Sequence, residues 1–181
     1  VRDSYTREDA VSILSTINDV IRSNGLNPRT IDGNHLFHEG IGAKSIDCDN
    51  TSFIYLSIAE ALNLPLAAVN APNHVFVRFI LDGNGFNWET ANARELSDNY
   101  YRSWLKISDE SIRNGVYLRD LTRQETMAIA YTGRGNARVG KGNLDEAIKD
   151  YNEAIRLNPN FANAYNNRGV ARLRKLDLIG A

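Results

Sequence analysis

A single cysteine, a histidine and a glutamate in this sequence could together form a nucleophilic site. Cys48 precedes an apolar segment, His74 begins the run HVFVRFIL, and Glu89 lies in the following run FNWETANA. A thiolate can attack an amide carbonyl, an imidazole can carry the thiol proton, and a carboxylate can orient the imidazole and balance its charge. These residue types therefore indicate acyl transfer through a thioester as one chemistry that the chain could perform.

The position of Cys48 supports two interpretations. We expect it at the N-terminus of a helix, where unpaired N–H groups and the helix dipole lower a thiol pKa and can stabilise an oxyanion. Alternatively, Cys48 is a small buried residue and His74 is a hydrogen-bonded residue beside a strand. An open cleft at Cys48 would favour an enzyme, whereas a sealed thiol would favour a scaffold.

The spacing of the two strand-like runs decides whether Glu89 can reach His74. A two-residue turn at Asp82 and Gly83 would place Phe76 opposite Glu89. His74 and Glu89 would then share one face of the sheet, on a diagonal of roughly 7–8 Å that a long side chain can span. A turn shifted by one residue would preserve neither the face nor the distance.

The preceding elements must position these residues. Thr6 and Asp9 form a capping-box pattern, and Gly25 ends the helical period that follows. The apolar face of this helix is expected to contain Val11, Leu14, Ile17, Val20 and Ile21. Residues 26–44 lack a sustained period and are expected to form a loop. Residues 49–63 have almost no polar face, which predicts a buried central helix.

Three strand-like runs follow the central helix: LPLAAVNA, HVFVRFIL and FNWETANA. Turn signals between the last two predict antiparallel neighbours, so a helix followed by a three-stranded meander indicates an α+β domain. The two runs SDNYYRSWLKI and SDESIRNGVYL are expected to be helical, and their aromatic residues are interpreted as core packing.

The segment from about Leu36 to Trp104 resembles the transglutaminase-like superfamily of papain-related cysteine enzymes. The likeness rests on Cys48 before a buried helix, on LNLPLAAVNAPNHVFVRF with His74, and on NWETANA with Glu89. It implies a papain-like domain with a catalytic triad of Cys48, His74 and Glu89 and no cofactor. The usual acid is Asp, so Asn87 or Asp82 remains an alternative third member.

The chain is expected to be helical after about Leu121 and contains an internal repeat. Five residues recur 34 positions later: Tyr131, Arg134, Gly135, Ala137 and Arg138 as Tyr165, Arg168, Gly169, Ala171 and Arg172. Together with Ala147, Tyr151, Ala154 and Pro159, they resemble the tetratricopeptide (TPR) repeat. We therefore expect a transglutaminase-like domain over residues 1–120 and all-α TPR helices over residues 121–181.

The second repeat stops at Ala181, so about one and a half repeats are present and the array is expected to be truncated. A homodimer that exchanges a helix is one expected consequence. The combination resembles a recurrent bacterial arrangement, whose members include transamidases, peptidases, deamidases and proteins without catalysis. The main hypothesis is a cysteine enzyme that acts on a protein or peptide amide, with a partner bound through the TPR segment. The alternative is a catalytically inactive scaffold for protein interaction.

Composition and motifs exclude several other classes. Lys and Arg total 21 against 22 for Asp and Glu, so no broad cationic surface favours nucleic acid. Apolar runs are too short for a membrane span, and one cysteine excludes an internal disulfide. The cytoplasm is slightly favoured over the periplasm. His35, His38 and Glu39 provide too few ligands for a metal site, so neither a metal nor a cofactor is expected.

Overall fold

The computed structural model describes residues 4–28, 37–82 and 85–179. In these residues the elements follow one another as α1 (Arg7–Ser23), β1 (Asn27–Pro28), α2 (Phe37–Gly42), β2 (Ser45–Ile46), α3 (Cys48–Leu62), β3 (Leu66–Ala71), β4 (His74–Phe79), β5 (Phe86–Glu89), β6 (Arg94–Glu95), α4 (Asp98–Trp104), α5 (Asp109–Arg113), α6 (Arg123–Gly140), α7 (Leu144–Leu157) and α8 (Ala162–Ile179). They divide into two compact units. The first contains α1, α3 to α5 and the strands, and the second contains α6 to α8.

Helix α1 begins and ends where the sequence predicts. Thr6 and Asp9 form the capping box, and the N–H of Gly25, which has φ +80°, donates to the Arg22 carbonyl. The predicted apolar face is wrong at Val20, which is 50% exposed. The buried face of α1 is turned away from Val20 and includes Ala10 and Asn18 in addition to three predicted residues. Its members are Ala10, Leu14, Ile17, Asn18 and Ile21.

Helix α3 is half-buried rather than fully buried. Asp47 caps it by accepting the Asn50 N–H, and Asn63 ends it in the left-handed conformation. Its buried residues are mostly small or polar: Cys48, Thr51, Ser52, Tyr55 and Ala59. Leu62 is 63% exposed, so the prediction of a buried helix is wrong. The helix contacts the sheet with one face only, and small side chains on that face permit a close approach.

The main sheet is an antiparallel meander in the order β3-β4-β5-β6. The predicted three strands are confirmed, and the short strand β6 was not predicted. Val77 pairs with Trp88 and Phe79 with Phe86, which is the register that the two-residue turn predicted. Gly83 in that turn lies outside the described residues.

The segment predicted as loop between residues 26 and 44 contains two short elements, β1 and α2. Strand β1 pairs in parallel with β2, which lies immediately before α3. His35 in this segment lies outside the described residues. The small parallel pair fixes the chain just ahead of Cys48, so it helps to position the start of α3.

The sheet separates two hydrophobic clusters in the first unit. On one face Val77, Phe79 and Trp88 pack with residues of α1 and α3. On the other face Phe76 packs with Tyr101 of α4 and with residues near α5. Because side chains alternate along a strand, His74 and Glu89 belong to the face that carries Phe76. The predicted combination of helices with a small antiparallel sheet is confirmed, and the papain-like class stays a prediction.

Between residues 123 and 179 the second unit consists of three helices joined by short connections, as predicted. Alanines form much of its core, in one cluster of Ala128, Ala154 and Ala164 and another in which Ala147 and Ala171 flank the Tyr151 ring. A Cβ added to Gly135 would lie 2.6 Å from Cε1 of Tyr151, so only glycine permits the observed approach of α6 to α7.

Candidate functional site

His74 and Glu89 form a buried hydrogen-bonded pair. His74 Nε2 lies 2.7 Å from Glu89 Oε2, and the two residues are 4% and 1% exposed. His74 is the first residue of β4 and Glu89 the last residue of β5, so the antiparallel register brings the two strand ends together. The contact joins two of the three residues that the sequence analysis selected.

Glu89 also accepts hydrogen bonds from two further donors. The Tyr101 hydroxyl donates to Oε2 at 3.1 Å, and the Ala91 N–H donates to Oε1 at 3.2 Å. Burial alone raises the pKa of Glu89, but the bonds from His74, Ala91 and Tyr101 outweigh it and lower the pKa below the usual 4.5. An ionised carboxylate can only accept, so Nε2 of His74 carries a proton and Nδ1 is the nitrogen that could act as a base.

Aromatic rings surround this pair. Tyr101 stacks on Phe76 with ring centroids 3.9 Å apart, and Trp104 contacts His74 edge-on at 5.4 Å. Trp104 is 47% exposed, whereas His74 is 4% exposed. Burial and the Glu89 charge raise the pKa of Tyr101, which therefore stays a neutral donor. The sequence predicted only core packing for Tyr101. Its hydrogen bond to Glu89 was missed because no local motif indicates it.

Cys48 is the first residue of α3, as predicted, but its thiol is not activated. The side chain is buried, with 5% exposure for the residue, and Sγ donates to Asp49 Oδ1 at 3.4 Å. Burial, followed by the negative charges of Asp49 and Asp47, strongly raises the pKa of Cys48. The predicted lowering of this pKa is therefore wrong, because desolvation and two adjacent carboxylates oppose the thiolate more strongly than the helix terminus favours it.

Hydrogen bonds tie the N-terminal half of α3 to the residues next to the pair. Ser52 Oγ donates to the Val75 carbonyl at 2.9 Å and lies 2.9 Å from Thr90 Oγ1. Thr90 Oγ1 also approaches the Cys48 carbonyl at 3.5 Å. Val75 and Thr90 are the immediate neighbours of His74 and Glu89. The backbone of Cys48 is thus held beside the pair, while its thiol bonds to Asp49 rather than to His74.

The two alternative third members occupy other positions. Asn87 accepts from Arg78 Nε and donates to Asp98 Oδ1, both at 2.7 Å, in a polar network with Asp120. Asp82 is exposed at the end of the described part of its loop. Of the three candidates, Glu89 is the one that bonds to His74.

Two arginines of α6 bind one buried carboxylate of α7. Asp150 is 2% exposed, and it accepts from Arg134 Nη2 at 2.7 Å and from Arg138 Nη1 at 2.8 Å. Asp150 therefore ties α7 to α6 through a charged contact inside the helical unit.

Polar side chains of α6, α7 and α8 also bond to one another within the second unit. Asn136 Oδ1 accepts from Asn167 Nδ2 at 2.9 Å, and Arg168 donates to the Asn152 oxygen at 2.8 Å. Asn166 lies 3.4 Å from Asn167. The bonds to Asn136 and Asn152 stabilise the packing of α8 against α6 and α7.

The part of the chain that the structure describes contains neither a metal-ligand cluster nor a membrane-spanning helix. No group of three potential metal ligands occurs there, and His35 of the weighed metal motif lies outside it. No helix among residues 4–28, 37–82 and 85–179 combines the length and apolar character that crossing a bilayer requires.

Comparison with known proteins identifies a TPR repeat in the second unit. The family model of the TPR repeat matches residues 135–175, which confirms the tetratricopeptide prediction. RNA polymerase II-associated protein 3 from Xenopus tropicalis is 36% identical over 103 residues, equal to 55% of this chain and 15% of that protein. The chain therefore corresponds to a small part of that relative. No solved structure matches the chain. The transglutaminase-like likeness of the first unit stays a prediction.

Proposed function

We propose that this protein is an interaction module, in which the helices α6 to α8 bind a partner protein. The TPR repeat at residues 135–175 carries the proposal, because stacked helical repeats of this type present extended surfaces to other proteins. The proposed division is a scaffold over residues 1–120 and a binding segment over residues 121–181.

The state of Cys48 supports a scaffold role for the first unit. Its thiol is buried, hydrogen bonded to Asp49, and held protonated by a raised pKa. A nucleophilic cysteine normally lies in a partly exposed and electropositive environment, whereas this one lies between two carboxylates. In this arrangement the thiol contributes to packing rather than to chemistry.

Capture of partner proteins from cells that produce the protein tests the proposal. Leucine at Gly135 would collide with the Tyr151 ring and disrupt the α6–α7 pair, whereas Gly133 has open space around it. We expect partners to be lost with Gly135→Leu and retained with Gly133→Leu and with Cys48→Ala. Equal capture by all three variants would refute binding through the helical unit.

A second candidate function is acyl transfer by Cys48, His74 and Glu89, and the 2.7 Å bond between His74 and Glu89 favours it. In this reaction the thiol proton passes to His74 Nδ1 while the Cys48 sulfur bonds to an amide carbonyl carbon. The proton then passes to the leaving amine as the C–N bond breaks. Water or another amine resolves the thioester, and no cofactor takes part.

The rate of alkylation of Cys48 separates the two functions. The interaction module predicts that iodoacetamide at pH 6 labels Cys48 more slowly than a free thiol, and that His74→Ala leaves the rate unchanged. The enzyme predicts labelling faster than a free thiol and a large loss of rate in His74→Ala. Partner capture and alkylation are independent measurements, so each candidate can fail by itself.

A further inference from the structure

Two large aromatic side chains lie exposed on successive turns of α4. Tyr100 is 41% and Trp104 is 47% exposed, and their ring centroids are 5.9 Å apart with the planes tilted by 43°. The sequence predicted core packing for both rings, and this prediction is wrong. Together the rings of Tyr100 and Trp104 form an apolar surface in the first unit, which we call the aromatic platform.

Packing against buried rings fixes the aromatic platform in place. Trp104 contacts His74 edge-on at 5.4 Å, and its centroid lies 6.4 Å from that of Tyr101. Tyr100 contacts Tyr101 edge-on at 5.9 Å. His74 and Tyr101 are 4% and 0% exposed. Exposed rings that are already held in position lose little conformational entropy when a ligand binds, so this surface favours association.

The polar groups of the aromatic platform are hydrogen-bond donors without a partner. In the part of the chain that the structure describes, no residue bonds to the Trp104 Nε1–H or to the Tyr100 hydroxyl. The Arg94 guanidinium lies 5.9 Å from the Tyr100 ring centroid and forms no ion pair with a described residue. An indole and a guanidinium can only donate, and a phenol can donate. A fitting ligand must therefore supply acceptors together with apolar ring surface.

A proline-rich segment meets both requirements. In the polyproline II conformation the carbonyl groups make no internal hydrogen bonds, and proline has no N–H that would need an acceptor. Proline rings pack well on tryptophan and tyrosine, which is how aromatic-lined grooves recognise such segments. The unpaired charge of Arg94 adds a preference for a carboxylate beside the prolines.

We infer that the aromatic platform binds a polyproline II segment of a partner protein that carries Asp or Glu beside its prolines. The proline rings cover Tyr100 and Trp104, a carbonyl accepts from Trp104 Nε1, and the carboxylate accepts from Arg94. The inference goes beyond the proposed function, because it assigns a binding surface to the first unit in addition to the one on α6 to α8.

Other occupants fit the aromatic platform less well. A second copy of this chain offers no such segment, since the four prolines of the sequence lie apart: Pro28, Pro65, Pro72 and Pro159. Nucleic acid is disfavoured, because Asp and Glu outnumber Lys and Arg in residues 1–121. A neutral sugar can stack on the rings but leaves the Arg94 charge without a counterpart, so it is the competing ligand that a test must separate.

Binding of synthetic peptides to the full chain tests the inference. The probe is a fluorescein-labelled peptide of roughly eight prolines followed by a pair of glutamates, and fluorescence anisotropy reports its binding. In the control peptide, alternating glycine and serine replace the prolines. We expect the proline peptide to bind with a Kd of about 100 μM or below, and the control peptide to bind at least about tenfold more weakly.

Substitutions in the aromatic platform locate the binding surface. Tyr100→Ala, which removes a ring, should weaken binding by at least about fivefold. Trp104→Phe, which keeps a ring against His74 but removes the indole donor, should weaken it by at least about threefold. Tyr165→Ala is the matched control, since Tyr165 is 43% exposed and its ring centroid lies 5.3 Å from the Arg168 guanidinium. It should change binding by less than about twofold, and unchanged circular dichroism spectra check that each variant folds.

A further substitution tests the charged contact. Arg94→Gln should weaken binding of the glutamate peptide by about fivefold at low salt, and less at high salt. It should leave binding of a peptide of prolines alone within about twofold of wild type. Equal effects of Arg94→Gln on the two peptides would refute the contact between Arg94 and the carboxylate.

Three results would overturn the inference as a whole. The first is unchanged binding in both Tyr100→Ala and Trp104→Phe, and the second is no binding up to about 1 mM peptide. The third is binding of a neutral oligosaccharide that these variants abolish and that the proline peptide does not displace. Each result leaves the proposed function standing if partner capture still depends on Gly135. Loss of that dependence would refute the proposed function itself, whatever the peptides show.

Discussion

Replacing Glu89 by glutamine should destabilise the first unit, because the buried carboxylate accepts three hydrogen bonds. The donors are His74 Nε2 at 2.7 Å, the Tyr101 hydroxyl at 3.1 Å and the Ala91 N–H at 3.2 Å. Glutamine keeps the volume but removes the charge, and its amide nitrogen must face at least one of these donors. The hydrogen bonds to residue 89 therefore become weaker, and water cannot replace them because Glu89 is 1% exposed.

The size of the loss in stability depends on the balance between the hydrogen bonds that Glu89 accepts and the desolvation of its charge. A hydrogen bond to a charged group contributes roughly 1.5–3 kcal/mol, against about 0.5–1.5 kcal/mol for a neutral one, so three bonds lose about 3–4.5 kcal/mol in total. Removal of the charge also relieves its desolvation. Because the pKa of Glu89 is lowered despite burial, the bonds outweigh that desolvation. We expect Glu89→Gln to lower the free energy of unfolding by about 2 kcal/mol.

Urea unfolding at pH 7, followed by tryptophan fluorescence, measures this change. Both tryptophans, Trp88 and Trp104, belong to the first unit, so the signal reports on it. Glu95→Gln is the matched control, since Glu95 pairs with Arg7 at a side-chain exposure of 39% and should contribute less than about 1 kcal/mol. Equal effects of the two substitutions would refute the reasoning.

The pH dependence of the difference in stability between wild type and Glu89→Gln gives an independent check. The folded-state pKa of Glu89 is lowered, so its stabilisation is fully present above the unfolded value of 4.5 and is lost as pH falls through the folded value. The difference in stability between wild type and Glu89→Gln should therefore be constant near neutrality and shrink below about pH 4.5. A difference that does not change on acidification would contradict an ionised Glu89.

Three further predictions concern the thiol and the helical unit. Asp49→Asn should speed the alkylation of Cys48 at pH 8, since the Asp49 charge raises the thiol pKa; an unchanged rate would contradict this cause. Gly135→Ala should lower the thermal stability of the helices by about 2 kcal/mol in circular dichroism, whereas Gly133→Ala should raise it by up to about 1 kcal/mol; equal shifts would refute the packing argument. Asp150→Asn, which weakens two arginine contacts, should cost about 2 kcal/mol in the same assay, and a cost below about 0.5 kcal/mol would show that these contacts are not stabilising.

Local patterns explain the parts of the structure that sequence reasoning predicted well. The capping box of Thr6 and Asp9 needs only neighbouring residues, and the register of β4 and β5 agrees with the one that the spacing of the two strand-like runs predicts. Gly169 lies 34 residues after Gly135, so the repeat period can be seen directly in the sequence. Each of these features depends on short-range geometry.

The properties of the site depend on contacts that the sequence does not display. The pKa of Cys48 results from burial and two carboxylates, so the helix terminus alone gave the wrong direction. Tyr101 reaches Glu89 from α4 across the sheet face, a contact that no spacing predicts. Exposure of Leu62 likewise depends on which face of α3 meets the sheet. Tertiary packing determines all three.

We propose that the helical unit, and not the thiol, holds the partner. The most direct measurement is the dissociation constant of the purified full chain with a captured partner, for wild type, Gly135→Leu and Cys48→Ala. We predict that Gly135→Leu weakens binding by at least about tenfold and that Cys48→Ala leaves it within about twofold of wild type. Unchanged binding by Gly135→Leu, or a partner held through a thioester that Cys48→Ala abolishes, would contradict the account.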